Sequence, residues 1–304
     1  MTEVAPESSC GCANSLRADA RRLQTVVRTG VHVTGKGLAE RVGEPEVGAK
    51  KVGFDVSATF RNQTEHFKVY YDEDLGGTLG PMIADAILSA CESDLANLAD
   101  IFGSVPLPNL PFSAIAVPWS KASGAYHYGC DGTEIYCGVY PDASVQVPLV
   151  QGVLVAEVVE VFEAAQNLGW DCGKSNGEGL SRTLAEELYP TIDQYFYTAD
   201  VWLDSARNDY VDTNFGSDVD PPSIGCSVLF LNFLQFIGYS WAEITQAAAP
   251  TLAGVYQNLT GLTSAYADFL AIINAFFPPG TPSGVRTDRP LPAMDPRLIA
   301  AVSM

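Results

Sequence analysis

Apolar positions along the chain repeat with two periods, and the switch between them divides the sequence into a strand-rich and a helix-rich part. Val52–Phe60 alternates apolar and polar residues, and His66–Tyr71 is β-branched and aromatic, so both predict strands. The Gly76-Gly77 turn and Pro81 precede a stretch with apolar residues at 83, 87, 88, 91, 95, 98 and 102, which predicts a helix over Met82–Phe102. Pro106–Pro111 breaks the chain, Phe112–Val117 predicts a short strand, and Gly124–Cys137 predicts a hairpin turning on Asp131-Gly132. Val150–Asn167 is rich in valine, but eighteen residues are too many for one strand, so the expectation is a buried helix. Gly179–Tyr189 follows as a second helix after a Gly/Asn/Ser loop. Asp204–Pro222 is loop-like and acidic. Ile224–Ile237, Trp241–Leu259 and Ser264–Phe276 then predict three helices, ending at Pro278-Pro279.

Strands and a hairpin first, then helices, is an α+β layout. Residues 1–51 read as a flexible or extended N-terminal arm, with one short amphipathic helix over Ser15–Val27. Residues 52–189 read as the α+β domain, 190–279 as a helical subdomain, and 280–304 as a proline-rich tail lying over the surface.

Composition narrows the function classes. The 304 residues are 47% apolar and 17% charged, enough apolar content to bury a large core. Residues 1–51 carry 8 Lys/Arg and 6 Asp/Glu, whereas 52–304 carry 9 and 30. A body so acidic repels phosphate backbones, which excludes general nucleic-acid binding. The longest apolar stretch, Ile224–Tyr239, holds Asn232 and Gln235 and is too short to span a bilayer. No apolar segment follows Met1 as in a secretory signal, so the expected compartment is the cytoplasm. The seven cysteines form no CxxC pair, which removes zinc-ribbon and thioredoxin-type motifs and leaves their pairing open.

The informative constellation lies in the helix VLVAEVVEVFEAAQNLGW. Ala156 and Glu160, four apart, share a face with Glu157 beside it, and Glu178 follows in GEGLSR at the start of the next helix. Two plainer readings stand beside any chemical one. Glu157, Glu160 and Glu163 fit the solvated stripe of an amphipathic helix, and Ser175-Asn176-Gly177-Glu178 fits a capping box with Ser175 as N-cap.

On these residues the sequence resembles the gluzincin, or thermolysin-like, metallopeptidases in degenerate form. In that family one helix carries HExxH and a glutamate on the following helix completes the zinc site. Here the HExxH positions read Ala156-Glu157-Val158-Val159-Glu160, and Glu178 stands where the third ligand belongs. The resemblance implies a zincin-like fold with a mixed or antiparallel sheet, a hairpin edging the cleft, an active-site-type helix pair and a C-terminal helical subdomain. It also implies Glu157 in the general-base position. Both histidine positions are lost, and the remaining carboxylates, Glu160 and Glu178, suit calcium, magnesium or manganese better than zinc.

Three histidines remain. His127, between Tyr126 and Tyr128 in the predicted hairpin, is placed to act as an acid or a replacement ligand if that hairpin edges the cleft, or to serve as a structural histidine. Tyr126, Tyr128 and Arg182 are the candidate binding residues, and Arg182, four after Glu178, is placed to neutralise it. The expectation is a metallopeptidase-like protein without zinc or other cofactor. It would serve as a binding or structural protein that takes a protein or peptide in its cleft. The alternative is a hydrolase using Glu157, Glu160 and Glu178 as a carboxylate cluster, with a non-zinc metal or as an acid/base pair.

Overall fold

Six strands form one mixed sheet in the computed structural model, which describes residues 46–51, 54–216 and 220–292. They are β1 (Glu46–Lys51), β2 (Phe54–Gln63), β3 (Phe67–Asp72), β4 (Phe112–Pro118), β5 (Ala125–Tyr126) and β6 (Glu134–Val139), in the order β1-β2-β3-β4-β6-β5. β1, β2 and β3 form an antiparallel meander. β3, β4 and β6 run parallel, and β5 closes the edge antiparallel to β6. β1 lies within the stretch read as an arm; the helix predicted over Ser15–Val27 lies outside the described residues.

Parallel neighbours need a crossover, and α1 (Gly76–Phe102) supplies the one between β3 and β4. It begins six residues before the predicted start. The side chain of Asp72 accepts from the Asp74 amide and caps a 3-10 turn at Glu73–Leu75, which feeds directly into the helix. Pro81 sits inside α1. A Cβ on Gly80 would stand 2.3 Å from the Tyr71 ring, so the absent side chain lets α1 lie against β3. The central strands are buried along their length, and alternation sorts their side chains to two faces. Phe112, Ala114, Ala116, Ile135, Cys137 and Val139 meet the helices. Ile115, Val117 and Tyr136 join Val56, Ala58 and Tyr70 in a smaller cluster.

The helical part continues with α2 (Gln146–Gln166), α3 (Ser175–Leu188), α4 (Asp193–Phe196), α5 (Ala199–Leu203), α6 (Pro221–Phe236), α7 (Trp241–Gln246), α8 (Leu252–Thr260) and α9 (Ala265–Phe276). α6 is buried on all sides from Ser223 to Leu234, as its unbroken apolar composition requires. Phe102 stacks on Phe162 at 5.0 Å, joining α1 to α2, and Trp202 stacks on Phe269 at 5.3 Å, joining α5 to α9. No single helix among the described residues is long and apolar enough to cross a membrane.

Three expectations are corrected here. The single helix predicted over Trp241–Leu259 is two, because Pro250 removes a backbone donor and the Thr251 side chain caps a new start by accepting from Gly254. The proposed boundary at 189/190 does not separate two cores: one apolar cluster runs from Phe67 to Leu291. Residues 280–292 of the predicted tail are extended as expected but inserted, with Val285, Asp288 and Leu291 buried; the rest of that tail lies outside the described residues. Asp288 accepts hydrogen bonds from the amides of Thr198 (2.6 Å) and Ala199 (2.7 Å) at the start of α5, and the Leu291 amide donates to Asn232 Oδ1 at 2.8 Å.

Candidate functional site: a histidine between two glutamates

The predicted hairpin exists, but not on a two-residue turn. β5 pairs Ala125 with Cys137 and Tyr126 with Tyr136, and residues 127–133 form a wide loop, closed by Gly132 N donating to Gly129 O at 3.0 Å. Cys130 in this loop is bonded to Cys172 in the α2–α3 connection, Cα to Cα 5.7 Å. That bridge holds the loop against α2.

Strand-like alternation then separates the three aromatic residues. Tyr126 and Tyr128 pack with the smaller apolar cluster, and Tyr126 stacks on Tyr136 at 5.0 Å. Burial, with the neighbouring Tyr128, Glu134 and Glu157, pushes the Tyr126 phenol well above its ordinary range, so it stays protonated. His127 turns to α2. Its Nδ1 lies 3.6 Å from Glu157 Oε2 and its Nε2 lies 3.3 Å from Glu160 Oε2. The His127 side chain is 3% exposed and the two glutamates 12% each, yet neither ring nitrogen reaches hydrogen-bond geometry.

The solvated-stripe reading of α2 is therefore wrong. Glu157 and Glu160 are largely enclosed, and Glu163, one turn on, is 1% exposed with no hydrogen-bond partner on either carboxylate oxygen. A Cβ on Gly177 would stand 2.5 Å from Glu163 Oε2, so this glycine brings the first turn of α3 onto the buried carboxyl. Burial, then the charges of Glu160, Glu178 and Asp171, hold Glu163 well above the usual carboxylate range. The plainer reading of the sequence puts Glu163 on a solvated stripe. The signal against that was the apolar residue on either side of each of these glutamates: Ala156 and Val158, Val159 and Val161, Phe162 and Ala164.

Glu178 opens α3 as predicted, but the capping box does not form. Ser175 is the first helical residue, not the cap; its hydroxyl donates to Asn214 Oδ1 (3.0 Å) and accepts from the Phe215 amide (3.1 Å). Asn214, from a distant loop, also accepts from the Asn176 amide at 3.1 Å and so caps the helix from outside. Arg182 donates from Nε to Glu178 Oε1 at 2.6 Å, as its spacing indicated. Lys174 pairs with Asp171 at 3.0 Å, and Lys121 with Asp72 at 2.6 Å. His66 bonds Glu92 at 2.8 Å; His32 lies outside the described residues.

The donor set does not fit the zinc of the gluzincins. Ala156, where the first imidazole would stand, packs its methyl against the main core. Glu178, the third-ligand position, holds a guanidinium. What comes together instead is His127, Glu160 and Cys172, each offering one ligand atom within 4.8 Å of the others. Cys172 was not anticipated by sequence. Its sulfur is committed to the disulfide, and a metal takes thiolate, not disulfide sulfur. No protein-family model matches the chain, and no curated protein matches it in sequence.

Proposed function

We propose that the chain is a zincin-like protein that works without peptidase chemistry, as a binding or structural module. The observation that carries this reading is His127 seated between Glu157 and Glu160 while Arg182 binds Glu178. In a working site of the resembled family a dication would hold those positions together; here side chains of the protein lie beside the same carboxylates. The order of elements supports the same reading: an antiparallel edge strand, then the helix bearing Glu157, then the helix bearing Glu178. With little of these side chains exposed, a scissile peptide has small access to Glu157, and a general base without a metal-polarised water has little to activate.

The ligand under this reading is a protein or peptide docking outside the enclosed cluster. The Cys130–Cys172 bridge favours an oxidising compartment over the cytoplasm, because such bonds persist where thiols are not kept reduced. The test is metal content and peptidase activity of the disulfide-bonded chain, purified without chelators. The expected result is far less than one zinc per chain and no cleavage of unfolded casein. Stoichiometric zinc in that form would overturn the reading.

One observation favours the alternative hydrolase: an imidazole within 3.6 Å of two carboxylates is a set of groups that can pass protons. If it does, Glu157→Gln abolishes whatever hydrolysis the purified chain shows. The low exposure of all three side chains makes this the second reading.

A further inference from the structure

The corner where the β5–β6 loop meets the α2–α3 connection holds His127, Glu160 and Cys172 with ligand atoms within 4.8 Å of one another, and Cys130 is joined to Cys172. We propose that reduction of the Cys130–Cys172 disulfide creates a metal site for zinc or a zinc-like dication. Its ligands are the two thiolates, His127 Nε2 and Glu160. This inference rests on the geometry of the corner alone and does not depend on the zincin reading.

Four features support it. First, both nitrogens of His127 lack a hydrogen bond although the side chain is 3% exposed, and a ligand bond would satisfy one of them. Secondly, Nε2 is the nitrogen nearer Glu160, whereas Nδ1 faces Glu157; a carboxylate behind one imidazole nitrogen orients the other toward a metal. Thirdly, thiolate and imidazole are the donors that select zinc over calcium and magnesium. Fourthly, both cysteines are half-buried, so a reductant can reach them. Zinc lies roughly 2.0–2.3 Å from such ligands, which puts donor atoms about 3.3–3.8 Å apart around it. The present spread of 4.8 Å closes to that by about 1 Å of side-chain movement.

The chemistry balances with a dithiol reductant. Its thiolate attacks one sulfur of the bridge, the Cys130–Cys172 bond breaks, and two electrons pass to the protein sulfurs as the reductant closes to its own disulfide. The two cysteine protons leave to solvent as the thiolates take the metal. Oxidation reverses the sequence and expels the ion. The site is thus available only to the reduced protein.

The test uses the full chain carrying Cys10→Ser and Cys12→Ser, so that the cysteine pair near the N-terminus contributes no zinc. Zinc chloride is titrated against a chromogenic chelator before and after reduction by dithiothreitol and desalting under nitrogen. The expected result is one equivalent bound after reduction and little before it, with release on addition of oxidised glutathione. His127→Ala and Glu160→Ala should each weaken binding at least tenfold. Since a cysteine variant can fail to fold, the sulfur ligands are read in the reduced chain with both cysteines in place, by the thiolate-to-metal absorption of bound cobalt. No zinc uptake at micromolar concentration after reduction overturns the proposal. So does uptake unchanged in both variants, a cobalt complex without thiolate absorption, or equal uptake before and after reduction. Zinc in the disulfide form also overturns the proposed function above, whereas failure of the reduced chain alone leaves that reading standing.

Discussion

Nε2 of His127 lies 3.3 Å from Oε2 of Glu160, so a residue on a sheet-edge loop and a residue on a buried helix share one enclosed electrostatic environment. Removing the imidazole takes away the neighbour that both largely enclosed carboxylates share. The His127→Ala variant is expected to lose about 1–3 kcal/mol of stability, and His127→Gln less, because its amide keeps a polar donor beside Glu160. Urea unfolding midpoints of the three chains check this; a variant as stable as the parent would show that the contact is incidental.

If the frame is zincin-like, histidines at positions 156 and 160 share the helix face toward Glu178. The double change Ala156→His with Glu160→His is expected to take up about one equivalent of zinc. The Glu178–Arg182 bond at 2.6 Å competes for the third ligand. Adding Arg182→Ala should therefore tighten zinc binding. Absence of zinc in both well-folded variants would refute the register of Glu157 with the family's general base.

The pH dependence of stability is expected to centre on Asp288. Burial pushes its carboxyl up to about 7, in spite of the Thr198 and Ala199 amides that favour the charged form. Glu186, fully buried, is raised in the same direction by burial and by Asp288 and Asp193, and lowered less by Arg182 and Arg289. An unfolded aspartate titrates near 4. The folded state therefore binds these protons more tightly, and this contribution to stability is lost as pH rises from about 4 through about 7. Glu186→Gln, which cannot charge, should flatten that slope between pH 5 and pH 8 in thermal unfolding. An unchanged slope would place the titration elsewhere.

Gly177→Ala should cost about 1–3 kcal/mol, because the new methyl would stand 2.5 Å from Glu163 Oε2 and 2.3 Å from the Asp171 carbonyl oxygen. The neighbouring Gly173→Ala meets nothing closer than 3.5 Å and serves as the control. Equal melting temperatures for the two variants would mean that α3 can shift away from the buried carboxyl.

The parts of the fold that local pattern determines were legible. α1, α2 and the strands β2, β3, β4 and β6 follow from apolar periodicity, with ends off by a few residues where a cap or a 3-10 turn extends the element. The Glu178–Arg182 pair followed from i,i+4 spacing, and the scarcity of histidine singled out His127. What was not legible depends on partners far along the chain. Cys130 and Cys172 are separated by 42 positions, and no spacing rule pairs them. Asn214 displaced the local capping box by supplying its side chain from outside. Glu157 and Glu160 looked solvated because a helix viewed alone does not show the loop that covers it.

The capping of α5 by Asp288 also constrains the order in which the protein is completed. Thr198 and Ala199 leave the ribosome some ninety positions before the carboxylate that receives their amides. The Leu291 amide likewise finds Asn232 Oδ1, 59 positions earlier, only after α6 is made. Until then the start of α5 has exposed amide donors, and the apolar surface beneath Val285 and Leu291 is open to other chains. A nascent polypeptide stalled before residue 285 should therefore recruit chaperones that a chain released past residue 292 does not, making the burial of Val285, Asp288 and Leu291 a step that ends co-translational vulnerability.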